Sequence, residues 1–372
     1  MRFSFKVLKY FLLSRLIVIS SALLSTHFVP TNNIPGTWNV GIPFFNLFAR
    51  WDSAFYLTIA RGGYDAGSTW AFRPLFPLAL KTGSIPFSPS MQSDVSLTVA
   101  GFFLNATFFL LALFVVHNLT QRLFSERVAD DTALLLAFCP VGIFYSAIYS
   151  EPLFLLLISL SLFFLETERV YRSSIAGYLA GLTRPEGFFV MVPMIFKKYK
   201  SKISLGKRAI SLIVVFCSLL SILLVAWVYT GNPLIILSAE QSWDATNVTI
   251  IEALSNPYDT FNLNFLEFYA FSISSVVIGF LVVYQFFVSN RGSLLDNKLF
   301  PYYAYVLVLL VFYVSIGDVR SMARFASTLI PVYWGLAVWM GDRKYAKILL
   351  LSVFTVQLVV GSVLFANWYE FL

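Results

Sequence analysis

The chain has 372 residues, of which 58% are hydrophobic and only 12% are charged, and its net charge is +7. Soluble globular domains carry about 25% charged residues, and one core could not bury this much apolar surface. The composition therefore excludes a soluble enzyme, a disordered chain and a disulfide-rich secreted domain. It predicts an all-α polytopic membrane protein with one transmembrane domain, residues 1–372.

Stretches of about 20 mainly apolar residues predict the membrane-spanning helices. The stretch 174–196 differs, because the polar tip from Thr183 to Gly187 interrupts it. Pro185 disfavours a helical conformation in the residue before it, so we interpret this stretch as two short helices that form a hairpin. With the hairpin counted as two crossings, about 11 are predicted, at 8–29, 95–117, 131–149, 152–166, 174–196, 209–229, 268–288, 299–316, 325–341 and 346–366.

The basic residues predict the orientation. With the N-terminus in the cytoplasm, 19 of the 26 Lys and Arg residues fall on the inner side, Arg15 among them, and inner loops are the basic ones in membrane proteins. This orientation leaves two sizeable outer loops, 30–94 and 230–267, and the second has no Lys or Arg. The rule does not explain the seven basic residues on the outer side, which are Arg50, Arg61, Arg73, Lys81, Arg184, Arg320 and Arg324.

The first outer loop is predicted to contain an amphipathic helix over 44–60 that lies along the membrane surface. At 100° per residue its apolar stripe has Asp52 at one edge, and Arg50 lies on the far side. A partly desolvated carboxylate at that edge suits a general base. The alternative is a helix N-cap or a loop charge. The stripe consists of Phe44, Leu47, Phe48, Trp51 and Phe55.

The hairpin tip contains Arg184 and Glu186. Ionisable residues at membrane depth are costly and often functional, and an arginine in a cavity suits a phosphate. The alternative is an internal ion pair that holds the tip. The short outer turn before residue 152 places Glu151, next to Tyr149, close to the membrane, although Glu151 is also an ordinary turn residue.

Arg320 and Arg324 are four residues apart and share a face if they are helical. They either clamp an anion or extend toward lipid headgroups. On the predicted topology, all these charged residues face outward and suit a substrate with a phosphate and hydroxyl groups. No Ser/His nucleophile motif, nucleotide-binding loop or Cys/His metal spacing is present.

Two blocks of residues resemble the PIG-V family, which includes the second mannosyltransferase of GPI-anchor assembly. The resemblance covers residues 45–190, and the C-terminal half matches mainly in topology. The first block is Arg50-Trp51-Asp52, Phe55-Tyr56-Leu57-Thr58-Ile59-Ala60, Gly63-Tyr64 and Phe72-Arg73-Pro74-Leu75-Phe76-Pro77-Leu78, and the second is Pro140, Ile143-Phe144-Tyr145-Ser146-Ala147, Tyr149-Ser150-Glu151 and Leu153-Phe154.

The resemblance implies an inverting glycosyltransferase with a GT-C fold that uses dolichyl- or polyprenyl-phosphate mannose. Asp52 matches the acidic residue of the family's first loop and is the expected general base. From their placement, the donor phosphate is expected to bind Arg184, Arg324, Arg320 and Arg73. Acceptor-binding or structural roles are expected for Glu151, Glu186, Arg50, Trp51 and Tyr149.

No metal or other cofactor is implied. The expected partners are the lipid-linked donor, a glycolipid acceptor and membrane lipids, but not nucleic acid, and a small membrane partner subunit stays open. Arg73, Pro152 and the tip 183–187 depart from the family pattern, which leaves the acceptor open between an inositol lipid and a lipid-linked glycan. The expected location is the cell membrane in a prokaryote or the endoplasmic reticulum membrane in a eukaryote.

Two alternatives stay open at this point. One is a GT-C transferase that uses another sugar or a protein acceptor. The other is a secondary transporter or flippase, because transporters often contain broken helices near the bilayer midplane. The hairpin at Arg184 fits that pattern, although no inverted repeat supplies a counterpart for it.

Overall fold

The computed structural model describes residues 3–32, 40–65, 67–87, 93–199, 203–241, 271, 274–290, 294–316 and 321–369. In these residues the protein is helical, with short 3-10 turns between helices and no strand. The α-helices are α1 Phe5–Phe28, α2 Pro43–Asn46, α3 Ser53–Gly62, α4 Leu75–Ser84, α5 Asp94–Leu123, α6 Glu126–Ala137, α7 Glu151–Glu166, α8 Val170–Gly181, α9 Met191–Phe196, α10 Leu205–Thr230, α11 Ile235–Gln241, α12 Ser274–Ser289, α13 Phe300–Ile316, α14 Met322–Ala326, α15 Ile330–Met340 and α16 Lys344–Ala366.

Four of these helices, α1, α5, α10 and α16, are long and apolar enough to cross a membrane. Each lies close to a predicted span. The predicted break at the polar tip is confirmed, because α8 ends before Arg184, a 3-10 turn covers Pro185–Val190, and the short helix α9 follows. The second outer loop lies beyond the described residues from 242 to 267.

The prediction of one span over 131–149 is wrong. Helix α6 ends at Ala137, and residues 138–150 form a buried irregular connector with one 3-10 turn at Gly142–Tyr145. The stretch is apolar enough for a helix, but Pro140 cannot donate a backbone hydrogen bond, and its ring disfavours the helical conformation of the residue before it. The connector leads directly into Glu151, the first residue of α7.

The prediction of one continuous helix over 44–60 is also wrong. The chain forms α2 and α3, and between them Trp51 adopts a φ of +52°. A left-handed conformation is costly for a bulky residue and ends the helical run. Asp52 therefore takes the N-cap position of α3, where its side chain makes no capping hydrogen bond.

Arg15 does not lie at an inner loop, contrary to the sequence prediction. It lies inside α1 and is buried, and its Nη1 donates hydrogen bonds to the Gly142 carbonyl at 2.7 Å and to the Ser146 hydroxyl at 2.8 Å. The guanidinium thus links α1 to the irregular connector. Three other ion pairs link α6 to the first turn of α1 and to the region where α16 begins. They are Lys6–Asp130, Lys347–Asp131 and Arg127–Asp342.

Candidate active site

Asp52 is the most exposed member of a network of five charged side chains. Its carboxylate oxygen Oδ2 accepts a hydrogen bond at 2.7 Å from Nη1 of Arg324, which is 272 residues away in sequence. The Asp52 side chain is 23% exposed and that of Arg324 is 13% exposed. The network also contains Glu151, Arg184 and Glu186, and we call these five residues the ion network.

Glu151 joins the two arginines of the ion network. Its Oε1 accepts a hydrogen bond from Arg184 Nη1 at 2.7 Å, and it lies 3.3 Å from Arg324 Nε. The Glu151 side chain is fully buried. A buried carboxylate needs charged partners, and the two guanidiniums supply them.

Arg184 is held on both of its terminal nitrogens. Nη1 binds Glu151 and lies 3.4 Å from the Ser150 hydroxyl, and Nη2 donates to Glu186 Oε1 at 3.1 Å. Its guanidinium also lies over the Phe325 ring, 4.7 Å from the centroid. The side chains of Arg184 and Glu186 are only 9% and 6% exposed, so these two residues form the buried end of the ion network.

Tyr149 supports the open end of the ion network. Its hydroxyl accepts a hydrogen bond at 3.1 Å from the backbone N–H of Asp52, and its ring lies 5.3 Å from the Arg324 guanidinium. The Tyr149 side chain is buried. Because the contact with Asp52 uses the backbone, it positions residue 52 without engaging the carboxylate.

Arg50 and Trp51, which directly precede Asp52, both pack against Trp368. The Arg50 guanidinium lies 4.7 Å from the ring centroid of Trp368, and the rings of Trp51 and Trp368 meet edge to face at 5.3 Å. Burial lowers the pKa of Arg50 to about 10, which leaves it charged at neutral pH. These contacts hold Trp51 in its left-handed conformation just before Asp52.

The remaining two predicted residues lie apart from these contacts or cannot be placed. Arg73 is buried before α4, where its charge opposes the burial-driven rise in the pKa of Tyr64. Arg320 lies outside the described residues. The structure therefore brings together Asp52, Glu151, Arg184, Glu186, Arg324 and Tyr149.

The sequence analysis did not identify the residues whose hydrogen bonds position the segments that contain the ion network. Asn105 donates hydrogen bonds to the Ala147 and Tyr149 carbonyls at 2.5 and 3.0 Å, and the Tyr145 hydroxyl donates to the Ser327 carbonyl at 3.0 Å. Asn105 was detectable as a polar residue inside an apolar span. Tyr145 carried no such signal among the 19 tyrosines.

Comparison with known proteins relates the chain to one enzyme family. The family model described as "Mannosyltransferase (PIG-V)" matches residues 4–232. The human GPI alpha-1,6-mannosyltransferase 2 is 35% identical over 145 residues, which are 37% of this chain and 29% of that protein. The Schizosaccharomyces pombe GPI mannosyltransferase 2 is 28% identical over 153 residues, which are 41% of this chain and 32% of that protein.

A solved structure shares the fold. The superposition on the apo crystal structure of the Archaeoglobus fulgidus oligosaccharyltransferase covers 98% of this chain and 56% of the oligosaccharyltransferase chain, with a TM-score of 0.51 and 15% sequence identity. This likeness supports the expected GT-C fold. The alignments with both curated relatives span less than a third of their length.

Proposed function

The chain belongs to the PIG-V mannosyltransferase family, and on that premise we propose that it transfers mannose at the outer face of a membrane. The proposed donor is dolichyl- or polyprenyl-phosphate mannose. The proposed acceptor is an inositol lipid or a lipid-linked glycan. Four long apolar helices and the family membership support a membrane enzyme.

The observation that carries this proposal is the contact between Asp52 and Arg324. A carboxylate and a guanidinium lie 2.7 Å apart at the more exposed end of an otherwise buried polar network. Glycosyl transfer from a lipid phosphate needs a base for the acceptor hydroxyl and a cation for the leaving phosphate. The two side chains supply one of each.

In the proposed reaction, Asp52 removes the proton from an acceptor hydroxyl. The hydroxyl oxygen forms a bond to the anomeric carbon of mannose while the bond from that carbon to the phosphate oxygen breaks. The phosphate oxygen keeps the electron pair, and Arg324 stabilises its charge. Attack opposite to the leaving group inverts the anomeric configuration, and the proton passes from Asp52 to solvent.

The expected roles of the other residues follow from their contacts. Arg184 already binds Glu151 and Glu186, so we assign it to positioning rather than to the phosphate. Arg50, Trp51 and Tyr149 position the backbone around Asp52. The proposal includes no cofactor or metal and leaves a small membrane partner subunit open. The proposed location is the cell membrane in a prokaryote and the endoplasmic reticulum membrane in a eukaryote.

Transfer of radiolabelled mannose tests the proposal. Membranes that contain the wild-type protein or Asp52→Asn are supplied with dolichyl-phosphate mannose labelled with tritium in the sugar, and the extracted lipids are separated. We expect a labelled glycolipid with the wild type and a loss of about 10²- to 10⁴-fold with Asp52→Asn, because a general base contributes about that much.

The matched control is Asp94→Asn, which removes one negative charge from the same region, where Asp94 pairs with Arg61 at 3.0 Å. This variant should transfer mannose normally. Labelled protein instead of lipid would favour the protein-acceptor alternative. Movement of intact donor across sealed vesicles without any labelled product would favour the flippase alternative and contradict the proposal.

A further inference from the structure

The proposed base is engaged by an arginine of the ion network. Asp52 Oδ2 accepts a hydrogen bond from Arg324 Nη1, and a charge-assisted contact of this kind is stronger than a neutral one. The guanidinium occupies the space in front of that oxygen. An acceptor hydroxyl that approaches Oδ2 therefore meets Arg324 first.

Arg324 is better placed to move than Arg184. Among the residues that the structure describes, its second terminal nitrogen, Nη2, donates a hydrogen bond to the Ser321 hydroxyl alone, at 3.2 Å. Both terminal nitrogens of Arg184 hold buried carboxylates. Leaving Asp52 would therefore cost Arg324 one partially exposed partner, whereas moving Arg184 would remove a hydrogen bond from each of two buried carboxylates, Glu151 and Glu186.

Glu151 keeps Arg324 within reach during such a movement. Its Oε1 lies 3.3 Å from Arg324 Nε, a buried nitrogen that makes no hydrogen bond to any residue that the structure describes. The second carboxylate oxygen, Oε2, is buried and accepts no hydrogen bond from any residue that the structure describes. Glu151 thus has acceptor capacity left for the guanidinium after Nη1 leaves Asp52.

We propose that Arg324 masks Asp52 and that the donor phosphate unmasks the base by taking the guanidinium. The phosphodiester of the donor is an anion whose two non-bridging oxygens fit the fork of an arginine, so it competes with the carboxylate for the guanidinium, and more strongly as negative charge develops on the leaving phosphate. The sugar donor thereby exposes the base only when a leaving phosphate is in place. This inference rests on the proposed function, because it assumes that the ligand is a lipid phosphate.

The test is a binding measurement that needs neither sugar nor acceptor. Wild-type protein and variants in phosphatidylcholine nanodiscs are titrated with radiolabelled dolichyl phosphate. The variant Asp52→Asn should bind it about tenfold more tightly, because Arg324 no longer has to leave a carboxylate. The backbone contact of residue 52 with Tyr149 is kept in this variant.

Two comparisons separate masking from a general charge effect. The gain should disappear when Asp52→Asn is combined with Arg324→Gln, measured against Arg324→Gln alone. It should also be absent in Asp94→Asn, which changes the net charge equally but contacts Arg61 instead. Equal gains in Asp52→Asn and Asp94→Asn, or no gain in Asp52→Asn, would overturn the proposal.

The binding assay tests the masking, and the transfer assay tests the proposed reaction. If mannose transfer is absent but the Arg324-dependent gain is present, the masking stands and the proposed reaction is wrong. If transfer occurs but the gain is absent, the reaction stands and the masking is wrong. Failure of every variant to bind dolichyl phosphate would overturn the masking.

Discussion

Single side chains in the ion network carry unequal shares of its stability. Glu151 is fully buried and contacts both guanidiniums, whereas Glu186 pairs with Arg184 alone among the residues that the structure describes. Removal of one partner from a buried ion pair costs far more than removal of an exposed charge, because the other partner stays uncompensated. The position of each carboxylate in the network therefore predicts how the protein responds to its neutralisation.

We expect Glu151→Gln to lower the free energy of unfolding by about 3 kcal/mol, because two buried guanidiniums lose their shared counter-charge. The measurement is the denaturation of the purified protein in detergent. Glu186→Gln is the matched control and should cost clearly less. Equal losses in the two variants would show that the shared contact at Glu151 Oε1 has no special weight.

The shape of the Arg324 guanidinium matters as well as its charge. Its two terminal nitrogens donate hydrogen bonds to Asp52 and Ser321, and its Nε lies 3.3 Å from Glu151 Oε1. Lysine has a single ammonium group and cannot span this set. We expect Arg324→Lys to lower kcat/KM for mannose transfer about tenfold or more, and Arg324→Gln about 10²- to 10³-fold.

The control for this prediction is Arg61→Lys, at an arginine whose side chain is 49% exposed and pairs with Asp94. Exposed pairs contribute little, so this variant should keep the wild-type rate. Full activity in Arg324→Lys would contradict a role for the forked geometry and leave only a point charge.

At the scale of elements, the site depends on three irregular segments rather than on the long helices. The first is the segment between α2 and α3, which contains Trp51. The second is the connector 138–150, which precedes Glu151, and the third is the hairpin tip, which contains Arg184. The hairpin was predictable, because Pro185 and two polar neighbours interrupt an apolar stretch. The connector was not, because its residues are as apolar as those of a spanning helix and only Pro140 marks it.

The connector also positions α14, the short helix that contains Arg324. The Tyr145 hydroxyl lies 3.0 Å from both the carbonyl and the hydroxyl oxygen of Ser327 and shares its one proton between them, and the Ser327 hydroxyl donates to the Arg324 carbonyl at 2.6 Å. A single phenol thus links the segment before Glu151 to the arginine that faces Asp52.

We expect Tyr145→Phe to reduce kcat about three- to tenfold, because the loss of a buried hydrogen bond costs about 0.5–1.5 kcal/mol and here loosens the helix that contains Arg324. Steady-state transfer kinetics measure it. The matched control is Tyr178→Phe, which removes a hydroxyl paired with Ser221 at 3.0 Å between α8 and α10. If both variants lose the same activity, the connector does not position Arg324.

At the scale of the whole molecule, the ion network is separate from the ion pairs that α6 makes. The ion network joins residues from α7, the hairpin tip, α14 and the start of α3, and the pairs Lys6–Asp130 and Lys347–Asp131 join other segments. Composition predicted a membrane protein, and polar turns predicted which residues share a face. The pairing of Asp52 with Arg324 could not be predicted, because no periodicity relates residues 272 positions apart.

The direction in which the bundle crosses the membrane is the last prediction, and it rests on the excess of Lys and Arg in the segments assigned to the cytoplasm. Single cysteines test it in a chain with Cys139→Ala and Cys217→Ala. Arg61→Cys, close to the ion network in the first outer loop, should react with a membrane-impermeant maleimide added to sealed cells.

Asp342→Cys, whose native side chain is 90% exposed at the turn between α15 and α16, should react only after the membrane is permeabilised. The native ion pairs of both positions are exposed and contribute little to stability, so both variants should fold. The reverse labelling pattern would place the N-terminus outside. It would also move Asp52 and Arg324 to the cytoplasmic face, where a donor displayed on the outer leaflet could not reach them.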